Sequence, residues 1–310
     1  MEFYHEPIML NEVIEGLKIS PSGIYLDCTL GGAGHSFEIL KKLNPDGLLI
    51  GLDKDEEALA YSSKRLKNFS NKKFIKTDFK DVKKVLESEN IKYLDGVLID
   101  LGISSHQIDS AERGFSFLKE AKLDMRMDKS QSLSAYEVVN TYSESQLLKI
   151  LWEYGEEDFA RKIVSEIIKQ RKIKPIETTT ELNNLIENCL PKKYVYKSGG
   201  ASKKTFQAIR IEVNGELDGL KEVLKFLVDK LKSGGRIAVL SFHSLEDRIV
   251  KNVFKEESTN CICPPTFPIC VCNHKANLKL INKKPIMASE EEQKRNSRST
   301  CAKLRIAEKL

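Results

Sequence analysis

Three acidic residues, each closing a short apolar run, mark where this chain can do chemistry. Asp27 ends Ile24-Tyr25-Leu26-Asp27 and is followed by Cys28-Thr29-Leu30-Gly31-Gly32-Ala33-Gly34-His35. A glycine-rich turn at the carboxyl end of a strand lets the backbone approach a ligand, and the helix N-terminus behind it favours an anionic group. Asp53 ends Leu48-Leu49-Ile50-Gly51-Leu52-Asp53, about 20 residues further on, where an acid can accept hydrogen bonds from both ribose hydroxyls of a nucleoside cofactor. Asp100 ends Leu94-Asp95-Gly96-Val97-Leu98-Ile99-Asp100 and leads into Leu101-Gly102-Ile103-Ser104-Ser105.

The glycine turn lacks the closing Gly-Lys-Ser/Thr of a P-loop, which argues against nucleoside triphosphate hydrolysis. It also lacks a G-x-G-x-x-G directly after the strand, as a dinucleotide site would have. Instead an acid precedes the glycines by four positions, a pattern that holds the amino group of the methionyl part of S-adenosylmethionine (SAM). Asp53 suits NAD and SAM equally. Asp78-Phe79 adds an acid beside an aromatic, suited to an adenine amine and ring face. Asp100 sits where amino-directed SAM methyltransferases bring sulfonium and nucleophile together. The exocyclic amine of a base is a poor nucleophile because its lone pair is conjugated into the ring. A carboxylate accepting its N–H localises that pair, and transfer then needs positioning and desolvation rather than a metal. The Asp/Asn/Ser-Pro-Pro-Tyr/Phe element usual in base methylation is absent.

A separate constellation, Cys261-x-Cys263 and Cys270-x-Cys272, places four thiols around Pro264-Pro265 and Pro268. It has the composition to wrap one tetrahedral Zn²⁺, with His274 as a substitute ligand, or to remain four reduced thiols. Seven cysteines, an odd number, argue against a disulfide framework.

The elements that must position these residues follow from periodicity. Apolar runs at 24–27, 48–53, 73–78 and 94–100 alternate with helical patterns, and 236–242, 279–281 and 303–307 read as later strands. That alternation means a parallel, doubly wound α/β sheet. From about Gly102 to Thr205 only helices and loops are expected: one opened by Ser143 and Gln146, one carrying Phe159, Ile163 and Ile167, and one from about Thr180 to Leu190. A further helix is expected through Leu217, Leu220, Leu224, Leu227 and Leu231 to Ser233-Gly234-Gly235, and a mobile loop at Ser198-Gly199-Gly200-Ala201. The expected division is a first catalytic part (1–103), a helical substrate-recognition insertion (104–212) and a second catalytic part (213–310).

Apolar residues make up 41% of the 310 and charged residues 31%, enough for a packed core and too apolar for a disordered chain. No apolar run approaches the roughly 20 residues that span a bilayer. Met1-Glu2-Phe3-Tyr4-His5 has neither a basic nor an apolar leader region, so a cytoplasmic protein without membrane contact is expected. The net charge of +5 is uneven: 12 Lys/Arg and 4 Asp/Glu between Arg161 and Arg210 give +8 there and −3 elsewhere. This is a polyanion-contact surface or a Lys-rich solvated face.

The motifs taken together resemble the RsmH (MraW) family of bacterial 16S rRNA cytosine-N4 methyltransferases. The resemblance runs nearly end to end: His5-Glu6-Pro7-Ile8-Met9-Leu10, Asp27 to Ser36, Asp100 to Ser105, Glu112-Arg113-Gly114-Phe115-Ser116-Phe117, Leu123 to Asp128, Tyr154-Gly155-Glu156-Glu157, Thr205 to Ile211 and Ser241 to Arg248. It implies a class I SAM-dependent methyltransferase fold (a Rossmann-like doubly wound sheet) with an inserted all-helical domain that helps recognise RNA. Its SAM contacts fall on Ala33, Gly34, His35, Asp53, Phe79, Asp100 and Gln107, joining Asp27 and Gly31 from the turn. His106 stands where many relatives have Pro. The implied substrate is a decoding-centre cytidine of the small ribosomal subunit, methylated on N4 after being splayed from its stack.

For the base, Arg113, Phe115 and Phe117 follow the fourth strand and are expected either to clamp it or to seal the domain junction. Ser241, His243 and Ser244 follow the fifth strand. His243 is expected either to relay the proton released after transfer or to cap the next helix, and His35 to shape the loop. Lys203 and Lys204 are expected to contact RNA, and the basic tail from Lys294 to Arg305 to contact RNA or be solvated. Rival readings are a nicotinamide oxidoreductase, a SAM-binding ribosome-assembly factor, and an amino-methyltransferase for another nucleic acid. The oligomeric state is open, a homodimer included.

Overall fold

A computed structural model describes residues 7–195, 202–264, 267 and 269–310. His5, Glu6 and the expected loop at Ser198-Gly199-Gly200-Ala201 lie outside the described residues. In chain order the first segment contains α1 (Leu10–Leu17), β1 (Ile24–Asp27), α2 (Gly34–Lys42), β2 (Leu48–Asp53), α3 (Glu56–Arg65), β3 (Lys72–Lys76), α4 (Val82–Ser88) and β4 (Leu94–Asp100). A helical segment follows: α5 (Ser105–Asp109), α6 (Ala135–Thr141), α7 (Glu144–Glu153), α8 (Ala160–Ile173), α9 (Thr179–Cys189), α10 (Lys192–Val195) and α11 (Lys203–Asn214). The chain then adds α12 (Leu220–Lys230), β5 (Leu231–Ser241), α13 (Ser244–Glu257), β6 (Leu278–Leu280), β7 (Ile286–Met287), α14 (Glu290–Arg295) and β8 (Lys303–Lys309). Among the described residues, no helix is long and apolar enough to cross a membrane.

The strands form one sheet in the order β3-β2-β1-β4-β5-β8-β6, with β7 also on β8. β1 to β5 run parallel, and β8 enters antiparallel between β5 and β6. A central strand covered on both faces must be apolar on both, which is why β1, β2 and β4 read as continuous apolar runs. Successive residues divide between the faces. Leu26, Val97, Ile99, Ile237 and Val239 pack with Val82, Leu86, Leu224, Leu227 and Phe254 from α4, α12 and α13. Tyr25, Leu98, Ala238 and Leu240 pack with Val13, Leu17, Ile39 and Leu40 from α1 and α2. The strand order reverses between β1 and β4, so their carboxyl ends flank the crevice in which such sheets bind ligands.

The chain divides into two compact units, Ile103–Leu217 and the flanking segments together. The helical unit therefore extends five residues past the expected 212. Within it, Asn214 accepts from the Met127 N–H at 2.8 Å and donates to the Met125 carbonyl at 2.8 Å, while Glu216 takes both guanidinium arms of Arg210 at 2.8 Å. Its core joins Met125, Val139, Leu151, Ile163, Ile167, Leu182 and Ile209. Reciprocal capping boxes start α5, α6, α7 and α9, at Ser104, Ser134, Ser143 and Thr178. Each such box satisfies two otherwise orphaned N–H groups.

The helix expected through Leu231 stops at Lys230. Leu231 opens β5 opposite Leu94, and the register shifts between Leu94 and Gly96. Gly234, at φ 80°, and Gly235, whose added Cβ would lie 2.9–3.0 Å from the Lys232 and Asp95 carbonyl oxygens, form an irregularity inside the strand. The double glycine lies in an irregularity of β5, where Leu231 to Arg236 runs opposite only Leu94 to Gly96, and not at a helix end.

Candidate active site

The loop after β1 is held from within. Asp27 is buried, and its carboxylate accepts from the Thr29 N–H at 3.1 Å and from the Ser36 hydroxyl at 2.6 Å. Gly31 and Ala33 both take left-handed backbone, at φ 49° and 56°, a conformation costly for alanine and one that clusters at ligand sites. From α3, Ser62 donates to the Gly31 carbonyl at 2.8 Å and Arg65 to the Gly32 carbonyl at 2.6 Å. Gly34 is required for packing: an added Cβ would fall 2.9 Å from the Pro7 ring.

Asp53 faces the same loop. Its two oxygens accept from the Gly31 and Asp55 N–H groups, both at 2.8 Å, and burial nevertheless raises its pKa to about 6. Each oxygen keeps a lone pair for a further donor. Phe79 is half-buried against the sheet core in the turn after β3. The Asp78 carboxylate caps that turn through the Lys80 N–H at 3.1 Å and meets Lys54 Nζ at 3.4 Å.

Asp100 is the centre of the arrangement. Its N–H donates to Thr29 Oγ1 at 2.6 Å, so the end of β4 is pinned to the loop after β1. Its Oδ1 is buried with no hydrogen-bond partner among the described residues. Burial, then the Asp27 and Glu246 carboxylates, raise its pKa to about 8. His35 lies with Nδ1 3.6 Å from Asp100 Oδ2, while its Nε2 donates to the Ile8 carbonyl at 3.0 Å. The second contact fixes His35 to the N-terminal segment, as a loop-shaping residue. The Asp27, Asp100 and Glu246 carboxyl groups, with one buried oxygen left unsatisfied among the described residues, make a setting that attracts positive charge.

Glu246 was not singled out from sequence. It accepts from the Phe242 N–H at 2.8 Å and the His243 N–H at 3.3 Å, and His243 Nε2 lies 3.2 Å from it. His243 in turn caps α13 by accepting from the Glu246 N–H. The box is built on His rather than on Ser or Thr, which hides it from the usual Ser/Thr-x-x-Glu signature. Of the two roles expected for His243, the geometry supplies the cap. Ser241, expected among the substrate contacts, is buried, and its hydroxyl donates to the Lys303 carbonyl of the adjacent strand at 3.4 Å.

A family model described as the MraW methylase family matches residues 2–310. The chain belongs to this family. Curated relatives agree along the full length of both chains: proteins named ribosomal RNA small subunit methyltransferase H from Clostridioides difficile (strain 630), from Clostridium botulinum (strain Kyoto / Type A2) and from Finegoldia magna are each 50% identical, with 100% of either chain covered. Likeness to solved structures is looser: an rRNA methylase from Streptococcus thermophilus aligns at TM-score 0.42 and 12% identity, covering 98% of this chain and 97% of that one. As an MraW-family protein the chain has the class I methyltransferase sheet, in which β8 is the reversed strand.

Apart from the cysteines, the remaining site candidates of this MraW-family chain lie in the helical unit. Gln107 is buried, and its side chain accepts from the Ser104 N–H at 3.0 Å in the α5 capping box. Arg113 is 1% exposed and donates to the Arg126 and Met127 carbonyls at 3.0 and 2.9 Å. Phe115 lies in the unit's core and Phe117 packs edge-on against Phe206 at 5.2 Å. Arg113 and Phe115 thus hold the helical unit together and are not presented to clamp a base, because burying them satisfies carbonyls and core contacts first. Lys203 and Lys204 are both exposed, and Lys204 donates to the Glu156 carbonyl at 2.7 Å and meets Asp158 at 3.3 Å. Within the same segment Lys169 pairs with Glu166 at 2.7 Å and Lys174 with Glu181 at 3.1 Å, acids already subtracted in the +8. The four cysteines of the loop after α13 converge, while His274 Nε2 donates to the Glu256 carbonyl at 3.0 Å.

Proposed function

We propose that the chain transfers a methyl group from SAM to the exocyclic N4 of a decoding-centre cytidine in 16S rRNA of the small ribosomal subunit, in the cytoplasm. The observation that carries the reading is the unsatisfied Asp100 Oδ1 beside Asp27 and Glu246. A pyrophosphate-bearing dinucleotide would add negative charge to these carboxyl groups. SAM brings two positive charges, an ammonium and a sulfonium, to the same groups, and so fits the donor set.

In this reading Asp27 and the left-handed backbone at Gly31 and Ala33 receive the methionyl part, Asp53 receives the ribose hydroxyls, and Phe79 flanks the adenine. Gln107 is proposed as a further cofactor contact. SAM supplies an electrophilic methyl group. The chain's own contribution is position and charge: Asp100, held by Thr29, accepts the amine N–H, keeps the nitrogen lone pair available in a water-poor recess, and takes up the proton that N4 sheds on gaining the methyl group. The relatives' printed name, at 50% identity over full length, and the basic helical segment support small-subunit RNA as the polyanionic partner.

The test is incubation with methyl-labelled SAM and small subunits from cells lacking this modification, followed by nucleoside mass spectrometry. N4-methylcytidine is expected. Label on a ring carbon or a ribose would overturn the amine assignment, and no label despite SAM binding would favour a non-catalytic assembly role.

A further inference from the structure

We propose that Cys261, Cys263, Cys270 and Cys272 bind one structural Zn²⁺ ion, at a site separate from the methyl-transfer chemistry. The loop joining α13 to β6 contains no helix or strand among its described residues between 258 and 277. Its apolar side chains do not build a core: Ile262 is 48% exposed, Phe267 51%, Ile269 75% and Val271 66%. A loop of this length without secondary structure or core needs another source of order.

Sulfur is what converges. The four Sγ atoms all lie within 4.8 Å of one another, with Cys270 and Cys272 at 3.5 Å and Cys272 and Cys261 at 3.9 Å. Thiolates about 2.3 Å from one tetrahedral metal stand about 3.8 Å apart along each edge. Disulfide sulfurs stand at about 2.05 Å, and the thiolates of an iron–sulfur cluster ligate separate irons and spread wider. The observed spacing matches a single ion.

The backbone supports the same centre. Ile262, between the first two cysteines, donates its N–H to Cys272 Sγ at 3.4 Å, and Val271, between the second two, donates to Cys263 Sγ at 3.4 Å. Each C-x-C turn therefore aims an N–H at a sulfur of the other, the arrangement by which outer-shell donors stabilise metal-bound thiolate. His274 is turned to the end of α13 by its bond to Glu256, so the ligand set is four sulfurs. Four thiols lose four protons as one Zn²⁺ binds, giving a tetrathiolate of net charge −2.

The experiment uses the full-length, tag-free protein, expressed with zinc supplementation and purified in a thiol reductant without chelator. Elemental analysis should give about one zinc per chain, and Cys263→Ser with Cys272→Ser should lower it at least about tenfold with SAM affinity unchanged. Cobalt reconstitution should give the intense visible bands of a tetrahedral cobalt thiolate. Should the double variant fold poorly, thiol titration of the wild-type chain decides: four cysteines should be protected until the metal is stripped, then react. Four freely reactive thiols without metal, disulfides seen by mass, stoichiometric iron in place of zinc, or zinc retained in the double variant would each overturn the proposal.

Discussion

The N–H of Asp100 donates to the hydroxyl of Thr29 at 2.6 Å, tying the carboxyl end of the fourth strand to the glycine loop after the first. Through this bond the loop proposed to take the cofactor sets the position of the carboxyl group proposed to face the amine. Because its Oδ1 is buried without a hydrogen-bond partner among the described residues, the site carries a cost in the free protein that a cation or an N–H donor relieves.

That cost predicts a pH-dependent stability difference. A carboxyl whose folded pKa is raised to about 8 holds its proton more tightly folded than unfolded, so it lowers stability progressively as pH rises from the ordinary carboxylate range toward 8, and levels off above. Asp100→Asn removes this contribution. Its unfolding free energy relative to the wild type should rise from pH 5 to 8, by at most about 1.4 kcal/mol per pH unit. A margin that shrinks as pH rises would show Asp100 to be stabilised as an anion.

Asp53 is predicted to anchor the ribose. Loss of a hydrogen-bonded charged acceptor costs about 1.5–3 kcal/mol, so Asp53→Ala should weaken SAM binding by about 10- to 100-fold in calorimetry. Equal affinity would remove Asp53 from that role.

Much of this arrangement was legible in the sequence, for a physical reason. β1, β2 and β4 are covered on both faces, so their apolar runs end sharply at Asp27, Asp53 and Asp100, and topology alone brings the three acids to one edge. What was not legible depends on contacts between distant segments. The roles of Thr29, Ser36 and Glu246 rest on side-chain bonds that no spacing announces. Gly234-Gly235 read as a helix end because a strand irregularity and a C-cap use the same residue type. For Arg113 and Phe115 residue type left a base clamp and a packing role both open, and only their burial and contacts show them engaged within the helical unit.

Arg113 should accordingly behave as a structural residue. Arg113→Met leaves the Arg126 and Met127 carbonyls without this donor, and should destabilise the protein by about 1–3 kcal/mol in denaturant unfolding. Unchanged stability with a raised KM for the subunit would restore a substrate role.

The two neighbouring lysines should separate. Both are exposed, but Lys204 is bonded to the Glu156 carbonyl and meets Asp158. Lys203→Glu should raise the apparent KM for small subunits several-fold, with the effect shrinking at high salt, and leave SAM affinity unaltered. If neither KM nor its salt dependence moves, this part of the surface does not meet RNA.

The most direct test of the account is single-turnover methyl transfer to undermethylated small subunits at saturating SAM, comparing wild type with Asp100→Asn and identifying the product nucleoside by mass. The account predicts N4-methylcytidine from the wild type and a rate lower by at least about 100-fold in the variant, within the range that a positioned acceptor contributes. N4-methylcytidine formed by the variant at the wild-type rate would contradict it.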